Sequence, residues 1–264
     1  EMLVYGFPSV FGGLSAWILS LSDRYVMKLY LSSADVGIYS SGYMIAENAI
    51  LMLISLFFLA DRPLGMRAWD LEGESAAADF MSRLVRFYLL ATLPAVVGLS
   101  VLCKPIVDLL LGPEFSGSYP VIPPVAFGLF LFGLAQRYQL PLLFRKKLYW
   151  VSACTVVAGV VSLGLNFALI PRVGYLAAAW TTLAAYTAVL VFVRIVARNQ
   201  LVWRFPRRAL TNALIAAAIM AAAVAVPAFT MNLTPTVKVV AGVLAGIIVY
   251  PLVLLALREV SLSE

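Results

Sequence analysis

The chain has 264 residues, 63% of them hydrophobic and only 12% charged, with a mean hydropathy of +0.97 and a net charge of +6. That balance excludes a soluble globular core, and the dispersal of Lys and Arg along the chain excludes a basic nucleic-acid-binding face. Histidine is absent and cysteine occurs twice, which removes the commonest metal ligand and the commonest general base, so no metal, cofactor or catalytic group is expected.

A bilayer span takes roughly 20 consecutive apolar residues, and about eight stretches qualify. The expected fold is all-α, a polytopic transmembrane helix bundle. Barrel strands are excluded because the runs are too long and too continuously apolar for an alternating pattern. In chain order the spans are A, Tyr5–Leu31; B, Val36–Ala60; C, Arg83–Leu102; D, Tyr119–Leu143; E, Leu148–Ile170; F, Tyr175–Ala197; G, Ala209–Phe229; and H, Thr236–Leu257.

Span A carries Asp23, Arg24 and Lys28. Ionisable groups inside a span are costly and point to function. Arg24 lies past the span's middle, roughly 9 Å outward at 1.5 Å per residue. Ser20, Arg24 and Lys28 share a face at four-residue spacing, a stripe that suits a pyrophosphate or an acidic sugar. The competing reading has Lys28 snorkelling to headgroups and Arg24 paired with an acid elsewhere. Asp23 is turned about 100° from Arg24, so it either fixes the helix against a neighbour or serves ion coupling.

Span B places Glu47 and Asn48 near the midplane. A carboxyl at that depth is costly to ionise without a cation beside it. Glu47 is therefore a candidate for ion coupling, with structural pairing to Arg24 or Arg137 as the alternative. The connection from B to C begins Asp61-Arg62-Pro63 and is expected to be the one substantial cytoplasmic gap, with Ser75–Met81 a helical lead-in to C. After C, a short interfacial helix is expected at Ile106–Leu111, stopped by Gly112-Pro113.

Span D carries Gln136, Arg137 and Gln139 in its inner half. Either this turn forms the inner approach to a cavity, with amides for sugar hydroxyls, or the span ends near Leu134 and Arg137 is interfacial. Asn166 in span E is expected to make an interhelical hydrogen bond. Cys103 and Cys154 fall at opposite leaflets and are expected to stay unpaired.

Thirteen of the 19 basic residues fall in alternate gaps: Arg62, Arg67, Arg83 and Arg86 between B and C; Arg145–Lys147 between D and E; Arg194, Arg198, Arg204, Arg207 and Arg208 around the F–G gap; and Arg258 after H. By the positive-inside rule those gaps are cytoplasmic, and so are both ends of this segment. The sequence opens on Glu1 with no charged leader, and span A starts almost at once, so the chain reads as cut from a longer protein.

Several stretches resemble the polysaccharide flippases of the multidrug/oligosaccharidyl-lipid/polysaccharide exporter superfamily. Leu21-Ser22-Asp23-Arg24-Tyr25-Val26, followed by Ala34-Asp35-Val36-Gly37-Ile38-Tyr39, resembles their seventh and eighth helices. Asn166-Phe167-Ala168-Leu169-Ile170-Pro171-Arg172-Val173-Gly174-Tyr175 resembles their eleventh-to-twelfth helix hairpin. The resemblance implies a C-terminal half: residues 1–200 as the second six-helix lobe and residues 201–264 as two additional helices. It further implies alternating access, with an undecaprenyl-pyrophosphate-linked oligosaccharide carried from the cytoplasmic to the outer leaflet of a bacterial inner membrane. The implied partners are that lipid-linked oligosaccharide, a missing N-terminal lobe and membrane lipids. An ion-coupled small-molecule exporter of the same superfamily is the competing function. A membrane glycosyl polymerase or ligase is disfavoured, because the longest external gap is short and holds no His.

Overall fold

The computed structural model describes residues 22–229 and 234–259. The described secondary structure is entirely helical: α1 (residues 22–30), α2 (Ser33–Arg67), a π-turn (Ala68–Glu72), α3 (Glu74–Val101), α4 (Cys103–Leu110), a 3-10 segment (Pro113–Val121), α5 (Ile122–Tyr138), α6 (Leu140–Phe144), α7 (Leu148–Val173), α8 (Tyr175–Ala197), α9 (Arg207–Phe229) and α10 (Pro235–Ala256). Among the described residues, seven helical stretches are long and apolar enough to cross a membrane. They coincide with spans B to H. Most of span A lies outside the described residues.

Local chemistry sets the helix ends. Ser32 and Asp35 form a reciprocal capping box at the start of α2, the Ser32 hydroxyl accepting from Asp35 N at 3.2 Å and Ser32 N donating to Asp35 Oδ2 at 3.2 Å. The α7–α8 hairpin turns on Gly174 at φ +85°, a left-handed conformation that costs glycine nothing. The small residues Ala177, Ala178 and Ala179 follow it and are buried, which lets α8 lie close against its neighbours.

The B–C connection departs from expectation. Asp61-Arg62-Pro63 does not open a loop. The helix runs on through Pro63 to Arg67, passes into the π-turn and reverses at Gly73, whose φ is +87°. At 35 residues α2 is about 52 Å long, well beyond the roughly 30 Å of bilayer hydrocarbon. The continuation holds because Asp61, Gly65 and Ala68 form a buried stripe at helical spacing. Gly65 lies against the Phe144 ring, where a Cβ would come within 2.9 Å. Beyond span C, the short helix expected at Ile106–Leu111 is present as α4, beginning earlier, at Cys103.

Helix α5 is central, packing on α2, α3 and α8, while α7 packs on α8 and the pair α9–α10 packs on α3. Tyr250 lies near the end of span H. It is buried and its hydroxyl donates to Leu90 O at 2.8 Å, tying α10 to α3. Both cysteines are buried and free, and burial pushes the Cys103 thiol up, as suits a packing group.

The basic gaps converge on one end of the bundle. Arg145 reaches Glu74 at 3.2 Å and Gln200 O at 2.6 Å, linking the D–E, B–C and F–G connections. Arg86 Nε lies 3.0 Å from Glu259 Oε1, and Asn212 donates to Glu259 Oε2 at 2.8 Å, fastening the end of α10 to α3 and α9. At the opposite end Tyr175 donates to Gly117 O at 3.1 Å. Alternate connections therefore meet at opposite ends, the arrangement that charge patterning requires.

Candidate substrate and ion site

A polar seam crosses the bundle at the end remote from the basic gaps. It starts at Asp23 on α1, which is 3% exposed. The Tyr39 hydroxyl on α2 donates to Asp23 Oδ2, and Arg24 N donates to Asp23 Oδ1 at 2.8 Å. Tyr39 lies within hydrogen-bonding reach of Thr182 on α8. Beside Thr182, Thr181 donates to Asn166 Oδ1 on α7, and Asn166 donates onward to Ser162 Oγ at 3.3 Å. Asn166 thus makes the interhelical bond expected of it. Asp23 fixes α1 to α2, one of the two roles open to it from sequence.

Arg24 turns away from Asp23, as one helical step demands. It is half-buried across α2, with Nε 3.3 Å from Ser40 Oγ and Cζ 4.9 Å from the centroid of the Tyr43 ring. Lys28, one turn along, is exposed. Ser20 lies outside the described residues. Glu47 is one turn beyond Tyr43, so Tyr39, Tyr43 and Glu47 form a stripe along α2. Glu47 is half-buried, and among the described residues its carboxyl has no hydrogen bond or ion pair. Arg24 and Asp23 are the charges whose fields reach it.

Glu47 opens into a cavity of about 220 Å³ between α2, α5, α7 and α8, also lined by Tyr43, Phe132, Gln139, Thr155 and Tyr186. Tyr43 and Tyr186 are within hydrogen-bonding reach of one another. On the other side of α2 lies an apolar groove of about 550 Å³, lined by Leu53, Pro94, Leu99, Met220, Val224 and Tyr250. A second groove of about 570 Å³, lined by Met44, Asn48, Leu99, Ile106, Leu110 and Val239, continues it toward α4.

The three polar residues of span D separate. Successive residues turn about 100°, so Arg137 and Gln139 face roughly opposite ways. Gln139 reaches the cavity. Gln136 does not line it, and its buried Oε1 has no partner among the described residues. Arg137 enters the core and is 0% exposed. Its Nε lies 3.0 Å from Asp61 Oδ2, its Nη1 donates to Gly133 O at 2.8 Å and its Nη2 to Ile54 O at 3.3 Å. The Phe57 and Tyr88 rings flank it, with centroids 5.4 Å and 4.4 Å from Cζ. Tyr88 is itself fixed by donation to Phe130 O at 2.7 Å. The expectation of Arg137 at an inner approach or interface gives way to a guanidinium that locks α2, α3 and α5. Asp61 was missed as its partner because composition marks Asp61-Arg62-Pro63 as a loop. The signal that finds it is the stripe Ile54, Phe57, Asp61, Gly65 and Ala68 at spacings of three and four.

Among the described residues no group of three or more His, Cys, Asp or Glu is placed to hold a metal ion.

The fold and the site together define a multi-pass membrane bundle with a polar cavity on one side of α2 and an apolar groove on the other. A family model described as "Polysaccharide biosynthesis protein" matches residues 1–120. The solved structure of the lipid II flippase MurJ, in its inward closed conformation, superposes with a TM-score of 0.79 at 16% sequence identity, over 97% of this chain and 54% of that one. The chain thus spans about half the length of that flippase. No curated protein matches the chain by sequence. The family model covers less than half of the chain, and the structural likeness shows a shared fold.

Proposed function

We propose that the chain is one lobe of a transporter, not an enzyme, that moves an undecaprenyl-pyrophosphate-linked oligosaccharide from the cytoplasmic to the outer leaflet of a bacterial inner membrane by alternating access. The observation that carries this reading is the juxtaposition across α2: a cation and a polar cavity on one side, a long apolar groove on the other. A lipid-linked saccharide is an amphiphile of that form. Its anionic pyrophosphate suits Arg24, with Lys28 as an outer contact. Its saccharide suits Gln139 and the aromatic lining, and its isoprenoid tail suits the groove. Asp23 and Glu47 are the candidate ion-coupling groups. Arg137 is assigned to positioning, because its guanidinium is spent within the core, and Gln136 has no contact with the cavity to offer.

In this reading residues 1–200 form the transport lobe and residues 201–264 add two helices that wall the groove. The basic end faces the cytoplasm, and a second lobe closes the cavity. The competing small-molecule exporter shares the architecture and is told apart by substrate competition. The test is complementation of a strain lacking its own flippase. The full-length protein is expected to restore surface polysaccharide, whereas residues 1–264 expressed without a preceding lobe restore none. Failure of the full-length protein to restore it in any flippase-deficient background, at normal membrane levels, overturns the reading.

A further inference from the structure

The Glu47 cavity has a chemistry distinct from the cationic stripe on α1. Its lining residues are aromatic, hydroxylated, amide-bearing or aliphatic, and Glu47 supplies the one formal charge among them. Arg24 does not line it and is engaged with Ser40 and the Tyr43 ring. The volume is about 220 Å³. It falls below the roughly 300–1,000 Å³ of sites that enclose drug-sized ligands, so the space suits a single sugar ring and not an oligosaccharide. Phe132 and Tyr186 wall it with ring centroids 4.8 Å apart, and aromatic faces of this kind pack against the C–H face of a pyranose. Gln139 and Thr155 offer both donors and acceptors, and Gln139 is within reach of Cys154. The Glu47 carboxyl, with no hydrogen bond or ion pair among the described residues, is available to accept from a sugar hydroxyl or amine.

We infer that the Tyr43–Glu47–Gln139–Tyr186 cavity is a selectivity subsite for one sugar ring that is neutral or amine-bearing, and that it rejects a uronic acid at that position. The inference rests on the flippase reading above and adds the class of sugar. Rejection follows from charge. A second carboxylate would meet Glu47 in a partly desolvated pocket with no cation in its lining among the described residues, and like-charge juxtaposition of this kind costs several kcal/mol. A hydroxyl or ammonium in the same place gains a charge-assisted hydrogen bond.

The test uses the full-length protein in proteoliposomes and three probes: undecaprenyl pyrophosphate carrying one hexose, one hexosamine with a free amine, or one hexuronic acid. Initial rates of translocation are compared. The wild type is expected to move the first two at least about tenfold faster than the third. Glu47→Gln keeps the shape and removes the charge; because Glu47 is also a candidate ion-coupling group, this variant is read by equilibrium binding of the three probes to the detergent-solubilised full-length protein, where the three affinities are expected to fall within about threefold. Equal wild-type rates for hexose and hexuronic acid overturn the subsite without recourse to any variant. A hexose-to-hexuronic-acid affinity ratio that is the same in Glu47→Gln as in the wild type overturns the role of Glu47. If the folded wild type moves none of the three, the flippase reading itself falls, and the subsite with it.

Discussion

Arg137→Ala is expected to remove most of the folded protein from the membrane. The guanidinium is fully buried, holds Asp61 at 3.0 Å and binds carbonyls of two helices, Gly133 O and Ile54 O. Truncation leaves the Asp61 carboxyl buried without its cation and opens a cavity between the Phe57 and Tyr88 rings. Removing one partner of a buried ion pair costs about 3–5 kcal/mol, a large share of a total stability of roughly 5–15 kcal/mol. Asp61→Ala is expected to act in the same direction, since it strands the guanidinium. The double substitution Arg137→Met with Asp61→Leu replaces the pair by apolar groups of comparable size. It is expected to be more stable than either single variant, because well-packed apolar replacements of buried pairs are often neutral. Thermal melting of the detergent-solubilised protein, followed by size-exclusion chromatography, measures all of these. An Arg137→Ala protein that melts with the wild type contradicts the assignment of Arg137 to the core.

Arg24→Ala is expected to leave the fold intact and abolish export, with a loss of at least about thirtyfold. The side chain is half-buried, with Nε 3.3 Å from Ser40 Oγ and the guanidinium over the Tyr43 ring beside the polar cavity, so its removal is expected to act on the anionic part of the substrate. Losing the cation of a desolvated charge pair costs about 2–5 kcal/mol, and the lower bound corresponds to that factor. Arg24→Lys keeps the charge but loses the planar fork that lies over Tyr43, and is expected to restore export in part. Lys28→Ala is expected to lose far less, since an exposed cation contributes at most about 1 kcal/mol. Surface polysaccharide at matched expression is the measurement. Normal export by Arg24→Ala shifts the search for the anion site away from α1.

Spans B to H were legible because the bilayer imposes a length and a composition that few other structures need. Their alternation was legible because Lys and Arg mark every second gap. Asn166 was legible as an interhelical donor and acceptor for a similar reason, since a polar amide in a span must find a partner. The course of the chain after Ala60 was not. Asp61-Arg62-Pro63 has loop composition, and tertiary packing keeps it helical: the buried stripe of Asp61, Gly65 and Ala68, with Asp61 paired to Arg137 76 positions away. Sequence placed Gln136, Arg137 and Gln139 together as inner-cavity candidates, and the helical turn then divides them between cavity and core. The cavity at Glu47 and the apolar groove are products of packing among helices distant in sequence, so no local pattern announces them.

The most direct measurement is translocation by the full-length protein in sealed proteoliposomes, using a fluorescent undecaprenyl-pyrophosphate-linked saccharide and a membrane-impermeant quencher. Protein-dependent movement of the lipid-linked saccharide, absent in Arg24→Ala and without transport of a small cationic dye, is the predicted result. Transport of the dye with no movement of the lipid-linked saccharide would contradict it and identify a small-molecule exporter on the same fold.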